Sequence, residues 1–180
     1  MQSHYAPLIA AVVTILLTTL LLLSKAAKKI SDVPNERSLH SAPVPRIGGV
    51  ALIVGMLSGW SIMFGSLTWW VLLPLIALFA VSIMDDMYNL SVRWRLLVHL
   101  GAAMVFVVMS GLMAQSYMLA VVVLLLVVWM TNLYNFMDGS DGLAGGMTLI
   151  GFAMYGIAAL LGNNEHMAML NFSVAAAAAG

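Results

Sequence analysis

The segment from Asn132 to Ala144 carries the densest chemistry in the chain. Asn132, Asn135, Asp138 and Asp141 recur at every third position, a spacing that sets successive members side by side on one helical face. Their carboxylate and amide oxygens are hard ligands suited to Mg²⁺, and acceptors suited to sugar or base hydroxyls. Gly139, Gly142, Gly145 and Gly146 permit a break in the helix and a close backbone approach by a ligand. A helix cap at a membrane surface would also use Asp, Ser and Gly. Two Asp and two Asn on one stripe exceed what a cap requires.

Asp85 and Asp86 follow directly on the apolar run 67–84. Adjacent helical residues point about 100° apart, so one of the pair faces a given ligand. Like charges side by side need compensation, which Arg93, Arg95 or a divalent metal could supply. A third polar stretch, Asp32 to Gly49, contains Pro34, Pro43 and Pro45, which stiffen it and oppose a continuous helix. Its Arg37, His40 and Arg46 are donors suited to phosphate, arginine forks especially. Lys25, Lys28 and Lys29 read as topology-setting charges. Carboxylates to hold a divalent metal, with arginines to hold phosphate, are the parts phosphoryl transfer needs. His99, about one turn inside an apolar run, is expected to hydrogen-bond a neighbouring helix. His4, Glu165 and His166 read as plain solvated residues.

These stretches are islands in oil. The chain is 63% hydrophobic and 8% charged, with mean hydropathy +1.04, against about 25% charged in soluble domains. The class is therefore integral membrane, all-α. Thirteen of the fourteen charged residues lie in Lys25–Arg46, Asp85–Arg95 and Asp138–Asp141. There is no cysteine, which excludes disulfides and thiolate metal sites. The scattered methionines read as flexible core filler.

A helical span takes about 17–25 mostly apolar residues. Six runs meet or approach that length: 5–23, 47–66, 67–84, 96–113, 117–133 and 146–161. A seventh starts near Ala168 and reaches only Gly180, so a polytopic bundle of six full spans and a truncated seventh is expected, with residues 1–180 forming one transmembrane domain that continues past Gly180. Every Lys and Arg falls in the connections 24–46 and 85–95, none in those near 65–68, 113–117 or 162–167. The positive-inside rule then places both basic loops in the cytoplasm and the N-terminus outside. Tyr5, Trp69, Trp70 and Tyr117 mark the outer interface under this topology, and Tyr88, Trp94, Trp129 and Tyr134 the inner one. The first run carries its positive charge after it, the reverse of a signal peptide. All three polar stretches emerge on one face, where a site for an ionic substrate with a lipid anchor would sit.

At this point the chain resembles the polyprenyl-phosphate N-acetylhexosamine-1-phosphate transferases, a glycosyltransferase family 4 group of multi-span enzymes. Three ordered blocks carry the likeness. They are Asp32-Val-Pro34-Asn35-Glu-Arg37-Ser38-Leu-His40 with Pro45-Arg46-Ile-Gly48-Gly49, then Asp85-Asp86 with Leu90-Ser91 and Arg95-Leu96, then Asn132-x-x-Asn135-x-x-Asp138-Gly139-x-Asp141-Gly142-Leu143-Ala144. The resemblance implies attack by undecaprenyl phosphate on the β-phosphorus of a UDP-N-acetylhexosamine, releasing UMP, with Mg²⁺ or Mn²⁺ assisting. It implies that Asp85 or Asp86 deprotonates or positions the lipid phosphate. Asn132, Asn135, Asp138 and Asp141 would line the nucleotide-sugar site, and Asp86, Asp138 and Asp141 the metal site. Arg37, His40 and Arg46 would contact phosphate or sugar.

The family's Gly-Asp-x-Gly-Ser block, with its metal-binding Asp, and its later His-containing loop are missing from these residues and are expected beyond Gly180. The first block is similar to the branch that starts O-antigen and capsule synthesis at the bacterial inner membrane, with a cytoplasmic active face. Expected partners are polyprenyl phosphate, a UDP-N-acetylhexosamine, membrane lipids and a second copy in a homodimer, with no nucleic acid. The competing readings are a transporter or flippase component, which would carry its acids near the midplane, and a non-catalytic fragment.

Overall fold

The computed structural model describes residues 2–24, 31–32, 44–45, 47–63, 68–137 and 142–180. After a 3₁₀ turn at Gln2–Tyr5, helices run α1 (Ala6–Leu23), α2 (Gly48–Ser61), α3 (Trp69–Tyr88), α4 (Val92–Met109), α5 (Tyr117–Met137), α6 (Leu143–Leu161) and α7 (Glu165–Ala179). A single helical turn, Leu112–Gln115, links α4 to α5. The first loop contains a two-residue antiparallel pairing, Ser31 opposite Pro45 and Asp32 opposite Val44. Five segments are long and apolar enough to cross a bilayer: Ser3–Leu23, Trp69–Tyr88, Val92–Met109, Tyr117–Met137 and Leu143–Leu161. Gly48–Ser61 is shorter, at 14 residues. The protein is an all-helical, multi-pass membrane protein.

Helix ends differ from the apolar runs in one consistent way. The acidic pair, Arg95, and both Asn132 and Asn135 lie inside helices, where the hydropathy pattern puts them at or beyond the ends. A polar side chain stops an apolar run, yet it does not stop the backbone ladder when a partner can satisfy it.

The described residues fall into two compact units, one containing residues up to 66 and from 138 onward, the other residues 67–137. In the first, α1 packs on α2 and α7, and α7 also packs on α2 and α6. Small residues set the α1–α2 approach. Ala6, Ala10 and Thr14 face Gly55 and Gly59, so that a Cβ at Gly59 would come within 2.6 Å of the Ala6 carbonyl oxygen. One at Gly55 would run into the Thr14 hydroxyl and reach 2.7 Å from the Ala10 carbonyl oxygen. This is the small-xxx-small packing that lets membrane helices touch without a hydrophobic driving force. The Thr14 hydroxyl donates to the Ala10 carbonyl at 2.9 Å, so it brings no unmet donor into the seam. Ala168, Ser173, Val174, Ala175 and Ala177 of α7 are buried, and the Trp60 indole donates to the Leu170 carbonyl at 3.0 Å. The start of α7 is capped by Asn164, whose side chain accepts from the Met167 amide at 3.0 Å.

In the second unit α4 packs between α3 and α5. Trp70 and Phe106 meet at 5.9 Å between ring centroids. Few side chains are buried here, and most line α4: His99, Ala102, Ala103 and Val107, with Pro74 and Val81 of α3 and Ala120 of α5. Large apolar side chains point outward instead, Met118, Leu125 and Trp129 among them. An outer surface this apolar fits lipid, not water. Tyr5, Trp69, Tyr88, Trp94 and Tyr117 are likewise exposed near helix ends, as interfacial anchors should be.

Candidate functional site

The turn between α3 and α4 positions the acidic pair. Asn89 closes α3 in the left-handed conformation (φ 49°), its amide bonded to the Asp85 carbonyl at 2.8 Å. Asparagine is one of the few residues that adopt this cap readily. Ser91 is extended and leads directly into α4. Three linking residues reverse the chain and bring the last turn of α3 opposite the first turn of α4.

There Arg95 Nη1 donates to Asp85 Oδ2 at 2.6 Å. The same nitrogen donates to Asn135 Oδ1 of α5 at 3.3 Å. One guanidinium nitrogen therefore ties α3, α4 and α5 together, using its two N–H groups on two elements. Of the two cations proposed as compensation for the acidic pair, Arg95 makes the ion pair; Arg93 lies exposed. Asp86 is half-buried and points about 100° round α3 from Asp85. Asn132, one turn before Asn135 on α5, is exposed.

The charges sit against the helix dipoles. A carboxylate is disfavoured near a helix C-terminus and a cation near an N-terminus, by roughly 0.3–1 kcal/mol each. Asp85 and Asp86 occupy the last turn of α3, and Arg93 and Arg95 the first turn of α4. The ion pair offsets a placement that helix stability alone would not select.

Beside this pair lies an apolar groove of about 460 Å³, lined by Ala77, Ala80, Val81 and Met84 of α3 with Leu90, Trp94 and Val98. Met84 precedes Asp85, and Trp94 precedes Arg95, so the groove runs into the bilayer from the level of the ion pair.

Asp138, Asp141, Arg37, His40 and Arg46 lie outside the described residues. Among the described residues no three His, Asp or Glu side chains cluster closely enough to hold a metal ion. His99 departs from expectation: it is 6% exposed, and among the described residues its Nδ1 has no hydrogen-bond partner. The sequence offers Arg95 as one candidate to compensate the acidic pair; its second bond, to Asn135 of the third block, carries no sequence signal.

The model of the family described as Glycosyl transferase family 4 matches residues 68–180. A probable undecaprenyl-phosphate N-acetylglucosaminyl 1-phosphate transferase of Bacillus subtilis (strain 168) is 28% identical over 91% of this chain and 52% of its own. The undecaprenyl-phosphate alpha-N-acetylglucosaminyl 1-phosphate transferase of Escherichia coli (strain K12) is 28% identical over 90% of this chain and 49% of its own. The protein of the same name from Salmonella typhi is 30% identical over 85% and 46%. The chain spans about half the length of these curated relatives. No solved structure matches it.

Proposed function

The chain belongs to glycosyl transferase family 4, and we propose that within it the full protein moves an N-acetylhexosamine 1-phosphate from a UDP-sugar to undecaprenyl phosphate. A phosphate oxygen of the lipid attacks the β-phosphorus. The bond from that phosphorus to the bridging oxygen breaks, and UMP leaves with the electron pair. The product is a polyprenyl-diphospho-sugar, the first lipid-linked intermediate of an O-antigen, capsule or other envelope glycan. N-acetylglucosamine is the favoured sugar, after the names of the relatives.

The observation that carries this reading is the Arg95 bridge, because it joins the acidic block to the Asn/Asp block through a group suited to phosphate. Before substrate binds, Nη1 rests on Asp85 and Asn135, and Nη2 and Nε of the fork are the donors that an incoming anion first meets. The apolar groove beside the pair supports a lipid acceptor, since it offers the isoprenoid chain a path from the charged level into the bilayer. Asp85 or Asp86 orients the acceptor phosphate, Arg37, His40 and Arg46 hold phosphate or sugar, and Asn132 and Asn135 hold the nucleotide sugar.

Asp86, Asp138 and Asp141 would hold Mg²⁺ or Mn²⁺ through hard carboxylate oxygens. Such an ion neutralises charge developing on the transferred phosphoryl group. In this reading the face lies on the cytoplasmic side of a bacterial inner membrane, which the positive-inside pattern supports. The test is UMP release by the full-length protein in membranes. UMP should appear only when UDP-N-acetylglucosamine or a close analogue, polyprenyl phosphate and Mg²⁺ are all supplied. Absence of UMP across a panel of UDP-sugars would sink the transferase reading.

A further inference from the structure

One polar atom near the site is left over. His99 lies four residues after Arg95, on the same face of α4 as the buried Ala102, Ala103 and Val107. The residue is 6% exposed, and among the described residues its buried Nδ1 has no hydrogen-bond partner. Helical side chains lean towards the N-terminus, so the imidazole covers the turn that carries Arg95. A buried polar atom without a partner costs stability, and an apolar side chain of similar size would avoid that cost. A group kept in this state near a reactive site calls for a second state in which it is satisfied.

Arg95 supplies the partner for that state. While it is bonded to Asp85 and Asn135, the guanidinium holds Asp85 Oδ2 and draws that carboxylate away from an incoming acceptor phosphate. We propose that His99 is a positioning residue for Arg95, a proposal that rests on the transferase reading above. When a lipid phosphate engages the guanidinium fork, Arg95 leaves Asp85, and its inward-facing N–H donates to His99 Nδ1. The bond to His99 offsets the bond lost to Asp85, so the carboxylate is released only when phosphate is in place. An imidazole nitrogen that carries no proton is the acceptor this step needs.

The experiment uses the full-length protein in detergent micelles, with His99→Leu, His99→Phe and His99→Gln. Thermal unfolding midpoints are measured with and without added polyprenyl phosphate, and UMP release gives KM for the lipid. Leu and Phe keep the bulk and remove the acceptor. They should unfold no lower than wild type without ligand, lose most of the midpoint rise caused by polyprenyl phosphate, and raise the lipid KM roughly tenfold or more. Gln, which keeps an acceptor oxygen, should restore both. In an Arg95→Met background His99→Leu should change neither reading further.

Wild-type KM and ligand-induced rise in both Leu and Phe overturn the proposal, as does a Gln variant impaired as badly as Leu. The midpoint arm needs no turnover. A wild type that releases no UMP but shows a His99-dependent rise would reject the transferase reading and leave the Arg95–His99 relation supported.

Discussion

Arg95 concentrates the chemistry of the described residues into one side chain, and its removal has an asymmetric cost. Taking away one member of an ion pair leaves a lone charge, whereas taking away both removes the problem. The pair retains 27% and 18% side-chain exposure, so screening lowers the penalty below that of a fully buried pair. Arg95→Met should therefore destabilise the protein by about 1–3 kcal/mol in thermal unfolding, and adding Asp85→Leu should recover most of that loss. Turnover should stay low in both. Asp86→Asn and Asp138→Asn, still helical by circular dichroism and inserted, should each lower UMP release by about 10²-fold or more. Near-normal rates would remove those carboxylates from the site. At this scale the sequence disclosed the acidic pair and its need for a cation, while half of the Asn/Asp stripe, Asp138 and Asp141, lies outside the described residues. The sequence did not disclose that Asn135 shares the guanidinium, or that His99 Nδ1 finds no hydrogen-bond partner among the described residues, because both depend on which faces of α3, α4 and α5 meet.

Helix seams hold the first unit together through the absence of side-chain bulk. Gly55 and Gly59, four residues apart on α2, admit the α1 backbone, and Gly156 admits the Phe172 ring, which a Cβ there would meet at 2.5 Å. Overfilling such a seam typically costs 1–3 kcal/mol, about the range expected for Gly59→Leu. The variant's thermal midpoint should fall by several degrees, while Gly101→Ala, where a Cβ would meet nothing within 4 Å, should hold wild-type stability. Wild-type stability in Gly59→Leu would mean that α1 and α2 do not touch there. Spans were legible from apolar run length, since the bilayer imposes that length directly. Their ends were less so. Asn89 caps α3 only after the acidic pair has completed a further turn, and hydropathy cannot register a backbone bond.

For the whole molecule, orientation is the testable property, and the lack of any cysteine makes it directly measurable. Single cysteines at Gln115 and Glu165 should react with a membrane-impermeant maleimide in intact cells. A cysteine at Ser91 should react only after permeabilisation. The opposite pattern would invert the topology and move the charged face outside. This property was fully legible as an expectation, because Lys and Arg counts on alternate loops need no tertiary information. The two-unit division was not legible, since it rests on which distant helices share small residues.

That division has a consequence for biosynthesis. The first unit is assembled from both flanks of the chain, with residues 67–137 inserted between them in sequence. Trp60 and its acceptor, the Leu170 carbonyl, are 110 residues apart. At about 5–20 residues per second of translation, the indole donor leaves the ribosome some 5–20 s before its partner exists. Through that interval α1 and α2 lack their α7 partner and are joined to each other by the glycine seam. Substitutions at Gly55 and Gly59 should thus reduce the yield of inserted protein more than they reduce the stability of molecules already complete.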